Sequence, residues 1–327
     1  MASTLPICKL RGCGQHPLAD ANIGGGASKV KIAAMTDLPH TPPQESPQGA
    51  PHGAPLLLDD ATFGTIARFV PVAGSTTAAD WVEIAALAQD LADGNVYLAE
   101  GAALELRGVH DQQELLARVS APGLLAGTQP VLASPLSAAA RAVARDIAAV
   151  VESLDVAANL RLGVDGGYGD ILHEGLDFGA MLEGDNRARL IKGGALDKDV
   201  FSIEELVPAL VQALEESDTL SATAAHGSGE AQHDRGAFEG ERPALPIGWL
   251  AEHTREGIVD LGAGLHKGII PAEFADLIGR LDVPITVTPW QGLIFHDIAE
   301  GDAEVVLRVL APRGFIFDIN SPHLYSF

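Results

Sequence analysis

The sequence predicts an α+β protein in which two copies of one unit flank a different, α/β unit. Three observations carry this. The chain has 327 residues, 47% of them apolar and 20% charged, a globular balance with room for two or three compact units. Two stretches of equal length, Asn95–Val109 (NVYLAEGAALELRGV) and Pro284–Ile298 (PITVTPWQGLIFHDI), place apolar residues at matching positions. Each is preceded by an apolar helix pattern and followed by a second helix and then Ser-Pro, at Ser134-Pro135 and Ser321-Pro322. Between the two stretches, helix and strand periodicities alternate. Copies this far apart point to a duplicated α+β unit rather than a solenoid, whose repeats are contiguous.

Residues 1–57 hold 8 Pro and 7 Gly with little apolar periodicity, and are expected to be a disordered tail. Gly24-Gly25-Gly26-Ala27-Ser28-Lys29 lacks the spacing of a phosphate loop and reads as linker. Order is expected from near Phe63, in a first unit over 58–133. It opens with a strand over Phe63–Val72 and a helix from Ala78 to about Leu91, introduced by Thr77 three residues before Asp80. Strands near Val96–Leu98 and Leu104–Val109 and a helix near Gln112–Val119 follow.

The middle unit, 134–220, begins with a long amphipathic helix from Ser137 to about Leu154. Leu160–Val164 reads as a strand entering the turn Asp165-Gly166-Gly167-Tyr168-Gly169-Asp170. Phe178–Leu182 and Arg187–Ile191 flank Gly184-Asp185-Asn186 as a hairpin, and Ser202 with Glu205 forms a capping box for a helix to about Glu216. Residues 221–243, rich in Ala, Gly, Ser and Glu, read as a flexible linker, and 244–327 as the second copy.

Charge narrows the partners. The net charge is −23, from 44 acidic and 21 basic residues, with 16 acidic against 5 basic between Asp170 and Glu241. Such a surface repels nucleic acid and anionic lipid and favours solubility. No apolar run of about 18 residues exists, so no membrane span is expected. The opening MASTLPICKLRGCG lacks the apolar core of a secretory signal, so the expected location is cytoplasmic. The two cysteines, Cys8 and Cys13, exclude a disulfide scaffold and a four-cysteine metal site within this chain alone. Zinc-site, dinucleotide and nucleophile-elbow patterns are missing or incomplete.

Four motifs stand out in order: Leu104-Glu105-Leu106-Arg107-Gly108-Val109, Ala133-Ser134-Pro135-Leu136, Leu162-Gly163-Val164-Asp165-Gly166-Gly167-Tyr168-Gly169-Asp170 and Thr288-Pro289-Trp290. In order and spacing they resemble the precorrin-3B synthase family of the nitrite/sulfite reductase superfamily, from about residue 60 to the end. The resemblance implies two ferredoxin-like half domains in a pseudo-symmetric pair, flanking an α/β domain of the sirohaem/iron–sulfur type. It also implies a [4Fe–4S] cluster and oxygen-dependent hydroxylation and ring contraction of precorrin-3A in aerobic cobalamin synthesis. A polycarboxylate substrate needs Arg and Lys donors to neutralise and orient it.

Against the family pattern several basic positions are changed. The superfamily's Thr-x-Arg-x-Asn reads Ala99-Glu100-Gly101-Ala102-Ala103 here, and its following glutamine is Glu105, while Arg107 is retained. Arg107 reads either as a contact to a ligand carboxylate or as a surface ion pair. The basic residue that begins the strand into the Asp-Gly turn is Asn159, with Arg161 two residues on and on the same strand face. Gln291 replaces the arginine after Thr-Pro-Trp. Trp290 reads as a half-buried core aromatic or a tetrapyrrole platform, and Lys192 as facing a cavity or solvent. The candidate substrate-binding residues are Arg107, Arg161, Lys192, Trp290 and Gln291. In the family Ser-Pro is followed by Cys-x5-Cys and Cys-x3-Cys, whereas this sequence stops at Phe327. The expectation is a chain cut short before the cluster domain, which holds no cluster alone, the cluster domain lying on a separate iron–sulfur subunit or being lost from this gene model. The alternative is a non-catalytic remnant or tetrapyrrole-binding module.

Overall fold

The computed structural model describes residues 57–61, 64–119, 130–154, 156, 160–184, 186–217, 243–251 and 254–325. Most of the expected tail (1–56) and linker (221–242), together with Cys8, Cys13, Asn159, Asp185 and residues 218–220, lies outside these residues.

In the first copy order begins earlier than the expected Phe63. Strand β1 (Leu57–Ala61) pairs antiparallel with β2 (Gly64–Phe69). A 3-10 turn over Val72–Gly74 leads to β3 (Ser75–Thr76), α1 (Ala78–Leu91), β4 (Asn95–Ala99), β5 (Ala103–Val109) and α2 (Gln112–Arg118). Helix α1 starts where the sequence places it because Thr77 and Asp80 cap each other. The Asp80 carboxylate accepts from Thr77 N at 2.7 Å, and Thr77 Oγ1 accepts from Asp80 N at 3.3 Å.

The middle unit runs β6 (Val131–Ala133), α3 (Ala138–Val151), β7 (Leu162–Asp165), β8 (Phe178–Leu182), β9 (Arg187–Lys192), β10 (Ala195–Ser202) and α4 (Ile203–Glu216). Its sheet order is β10-β9-β8-β7-β6, with β6, β7 and β8 parallel and the others antiparallel. Parallel neighbours need a crossover, and α3 supplies the one between β6 and β7. One core lies between this sheet and α3 and α4, through Ile147, Leu162, Leu190, Leu206 and Leu210. The opposite face carries a smaller apolar cluster, Ile171, Leu172, Leu176 and Ile191.

The second copy runs β11 (Gly248–Leu250), β12 (Ile258–Leu265), β13 (Ile269–Pro271), α5 (Ala272–Gly279), β14 (Ile285–Val287), β15 (Gly292–Ala299), α6 (Glu300–Leu310) and β16 (Phe315–Ile316). Its backbone follows the first copy through unusual conformations. Ala73 and Lys267 have φ of 54° and 56°, Ala102 and Gln291 59° and 58°, and Gly108 and Asp297 69° and 56°. Residues other than glycine seldom adopt positive φ, so its recurrence at three equivalent positions marks a duplicated backbone.

The two copies exchange strands. The first sheet is ordered β1-β2-β5-β4-β13 and the second β11-β12-β15-β14-β3, so each copy contributes an edge strand to the other's sheet. Ile270 pairs with Val96, and Thr76 with Ile285. Both sheets and helices α1, α5 and α6 bury one core that includes Phe69, Trp81, Leu104, Ile285, Phe295 and Leu310. Trp81 Nε1 donates to Thr76 Oγ1 at 2.8 Å, and that hydroxyl donates to Ile285 O at 2.9 Å. One polar chain thus ties α1 to both copies.

Candidate functional site

The Asp165–Asp170 turn is built around its own carboxylates. Asp165 is fully buried, and its Oδ1 accepts from Gly167 N (2.8 Å) and Gly169 N (3.0 Å). Its Oδ2 accepts from Ile171 N (3.0 Å) and Leu172 N (3.3 Å). The negative end of β7 therefore binds the loop that follows it, which explains an acid followed by closely spaced glycines. Ser134 joins the motif from β6: its hydroxyl donates to Asp170 Oδ1 and accepts from Gly166 N at 2.7 Å. Gly166 has no room for a side chain, since a Cβ there would stand 2.5 Å from Ser137 Cβ. Burial, reinforced by the neighbouring Asp165, raises the Asp170 carboxyl from 3.8 to about 6, against the lowering effect of the Ser134 hydrogen bond.

Trp290 comes from the β14–β15 turn of the second copy onto this same loop. Its ring packs on the Ile171–Leu172–Leu176–Ile191 cluster, and Nε1 donates to Glu174 Oε1 at 2.8 Å. Arg161 reaches the same residue, its guanidinium donating to Glu174 O at 2.9 Å, while its backbone N–H donates to Asp177 Oδ2 at 2.9 Å. Lys192, at the end of β9, bonds to Asp197 Oδ2 at 2.9 Å and thereby holds that carboxyl below its usual range. Gln291 lays Oε1 against Gly268, 3.5 Å from where a Cβ would be.

Arg107 belongs to a different cluster, on the face of the first sheet turned away from the core. Its guanidinium lies 2.9 Å from Glu105 Oε2 and stacks 4.1 Å from the centre of the Tyr97 ring. Arg68, on the neighbouring strand, takes the other oxygen of Glu105 at 3.0 Å. Desolvation and the hydrogen bond to Asp93 raise Tyr97 to about 12. The structure thus gathers Arg161 and Trp290 on Glu174, sets Lys192 on the adjoining strand, and keeps Arg107 in its own ion-pair group. Arg107, Arg161 and Lys192 each bond to an oxygen of this chain.

Sequence reasoning did not single out Arg68 or Glu174. Arg68 faces Glu105 only once β2 and β5 are in register, past a bulge between Thr65 and Ile66. Glu174 is brought to Trp290 by tertiary packing alone. Among the described residues, no group of three or more His, Cys, Asp or Glu side chains is placed to hold a metal ion, and no helix is long and apolar enough to cross a membrane.

Among solved structures, the Mycobacterium tuberculosis NirA protein is similar to this chain, with a TM-score of 0.55 and 15% identity. The match covers 78% of this chain and 57% of the NirA chain. It shows the nitrite/sulfite reductase fold, mixed α+β with several sheets, of which this chain spans a little over half of NirA's length. No family model and no curated protein matches the sequence.

Proposed function

We propose that the chain is the scaffold and ligand-binding part of an oxidoreductase of the nitrite/sulfite reductase superfamily, of the precorrin-3B synthase kind. Its ligand is a polycarboxylate tetrapyrrole, and its reaction class is the hydroxylation of precorrin-3A in the cytoplasm. One observation carries the reading. Ser134, the Asp165–Asp170 turn and Trp290, which resemble separate motifs of that family, meet at one loop.

The basic side chains set the terms of binding. Arg107 and Lys192 are each 43% exposed, and ion pairs at such sites contribute little stability. A ligand carboxylate in a better geometry can displace Glu105 or Asp197, taking over their donors. Trp290 offers a flat apolar edge and Gln291 a neutral donor beside it. The [4Fe–4S] cluster of this family needs four thiolates, and the whole chain has two cysteines. These 327 residues do not fit that group, so a cluster serving this reaction needs thiolates from outside them.

The test is a titration of the full chain with uroporphyrin, an octacarboxylate probe, followed by its absorbance. Saturable binding is expected, weakened about tenfold or more by Lys192→Gln or Arg107→Gln through loss of a charge-assisted bond. Glu105→Gln frees both Arg68 and Arg107 and is expected to tighten binding. A probe spectrum that never saturates, or a Glu105→Gln variant that binds more weakly, overturns the reading.

The hold of Glu105 and Asp197 on the basic residues favours a second reading, a tetrapyrrole-binding module without chemistry of its own. Anaerobic reconstitution with iron and sulfide, alone and with a thiolate-bearing partner subunit, separates the two. Cluster absorbance and turnover with the partner support the oxidoreductase. Binding with no turnover in either case supports the module.

A further inference from the structure

A second region stands apart from the residues above. A cleft of about 680 Å³ opens between α3 and the β3–β14 edge of the second sheet. That volume is typical of small-molecule sites. Thr286 and His296, both buried, form its floor. His296 Nδ1 lies 2.6 Å from Asp260 Oδ2, and Nε2 lies 2.8 Å from Thr286 Oγ1. The other oxygen of Asp260 accepts from Asp297 N at 3.0 Å, which fixes the carboxylate. When Nδ1 donates to Asp260 and the ring is neutral, Nε2 accepts the Thr286 hydroxyl and leaves Thr286 Oγ1 as an acceptor toward the cleft. A charged ring reverses the chain and turns the hydroxyl outward as a donor.

The wall is basic. Arg141 and Arg145 are one turn apart on α3, so both face the cleft. Among the described residues neither pairs with a carboxylate, and Arg141 donates to Pro135 O. Elsewhere among the described residues Arg68, Arg107, Arg118, Arg189 and Arg280 pair with carboxylates, while Arg161 and Arg313, like Arg141, donate to backbone carbonyls. The acids at the cleft are engaged or peripheral: Asp80 caps α1, and Glu152 is exposed at the end of α3. Burial pushes Arg141 below its usual range, while Asp260 and Asp297 act in the opposite sense. Two guanidinium groups with no bonded carboxylate among the described residues, beside an apolar wall of Ala138, Ala148 and Ile285, leave room for one anionic group on a small body.

We propose that this cleft is a separate ligand site, taking a small molecule that bears a carboxylate or phosphate group, clamped by Arg141 and Arg145 above the Thr286 hydroxyl. Guanidinium forks match either oxyanion in two-point contact. The experiment is calorimetric titration of the full chain at low salt with succinate and, separately, with inorganic phosphate. Saturable binding of at least one is expected, and whichever binds assigns the oxyanion. Arg145 is exposed and Arg145→Gln removes no bond that α3 needs, so this variant should fold, as its melting curve will report. It is expected to weaken binding about tenfold or more. Arg118→Gln removes the same charge elsewhere and is expected to change nothing. The proposal is overturned if neither anion saturates by about 10 mM, well beyond ordinary site affinities. It is equally overturned if Arg118→Gln weakens binding as much as Arg145→Gln.

Discussion

Asp170 shows how a single buried carboxyl leaves a mark on the stability of the whole chain. Its folded-state value is raised from 3.8 to about 6, because burial and the nearby Asp165 disfavour the charged form. The folded state therefore holds the proton more tightly than the unfolded state. The stabilisation this gives is fully present below about pH 3.8 and is lost as the pH rises through about 6. Asp170→Asn keeps an oxygen for Ser134 and Ile171 N but carries no charge. Relative to the native chain, it is expected to gain stability as the pH rises from about 3.8 through about 6, read from urea midpoints. A difference that stays flat across that range would contradict the assignment. The same loop shows what residue types alone reveal. Serine, aspartate and clustered glycines advertised a turn, and the basic side chains advertised an anionic ligand. Their partners were hidden, because Glu174 and Arg68 acquire meaning only through packing and strand register.

Among the elements, the two helices with complete capping boxes could be placed at their first residue from sequence, and helices without a side-chain cap could not. Thr77 with Asp80 marks the start of α1, and Ser202 with Glu205 that of α4, as complete capping boxes. Helix α5 begins after Pro271 with no side-chain cap, so only an apolar helix pattern ahead of Pro284 was visible. Strands β3 and β13, two and three residues long, are too short for any alternation to be read. The contact between α1 and α5 supplies a test at this scale. A Cβ on Gly279 would stand 2.9 Å from Ala78 O and 3.1 Å from Trp81 Cβ. Helix propensity alone favours alanine over glycine by about 1 kcal/mol. Close approach predicts the reverse sign, a loss of about 1–3 kcal/mol for Gly279→Ala. Urea denaturation decides it, since a stabilised variant would mean the helices have slack between them.

For the whole molecule, the duplication was legible and the exchange of strands was not. Equal spacing of apolar residues in Asn95–Val109 and Pro284–Ile298 survives because both hairpins must bury the same face against the shared core. That alignment also sets His296 opposite Arg107 and Thr286 opposite Tyr97, so one scaffold face carries an ion-pair group in one copy and a buried hydrogen-bond chain in the other. Exchange leaves no such trace, yet it governs how the halves come apart. Strand β3 belongs to the first copy but completes the second sheet, and β13 does the converse. Neither sheet can open without losing a strand that the other copy holds in place. Trp81→Phe keeps an aromatic ring but removes the hydrogen bond to Thr76, at a cost of about 1–3 kcal/mol for a buried group left short of a partner. If the sheets form one cooperative unit, amide exchange protection should fall by the same free energy in Val96–Leu98 and in Ile285–Val287. Protection lost in the first sheet alone would show two units that unfold separately, and the exchanged strands would then be edges laid on independent halves rather than the link between them.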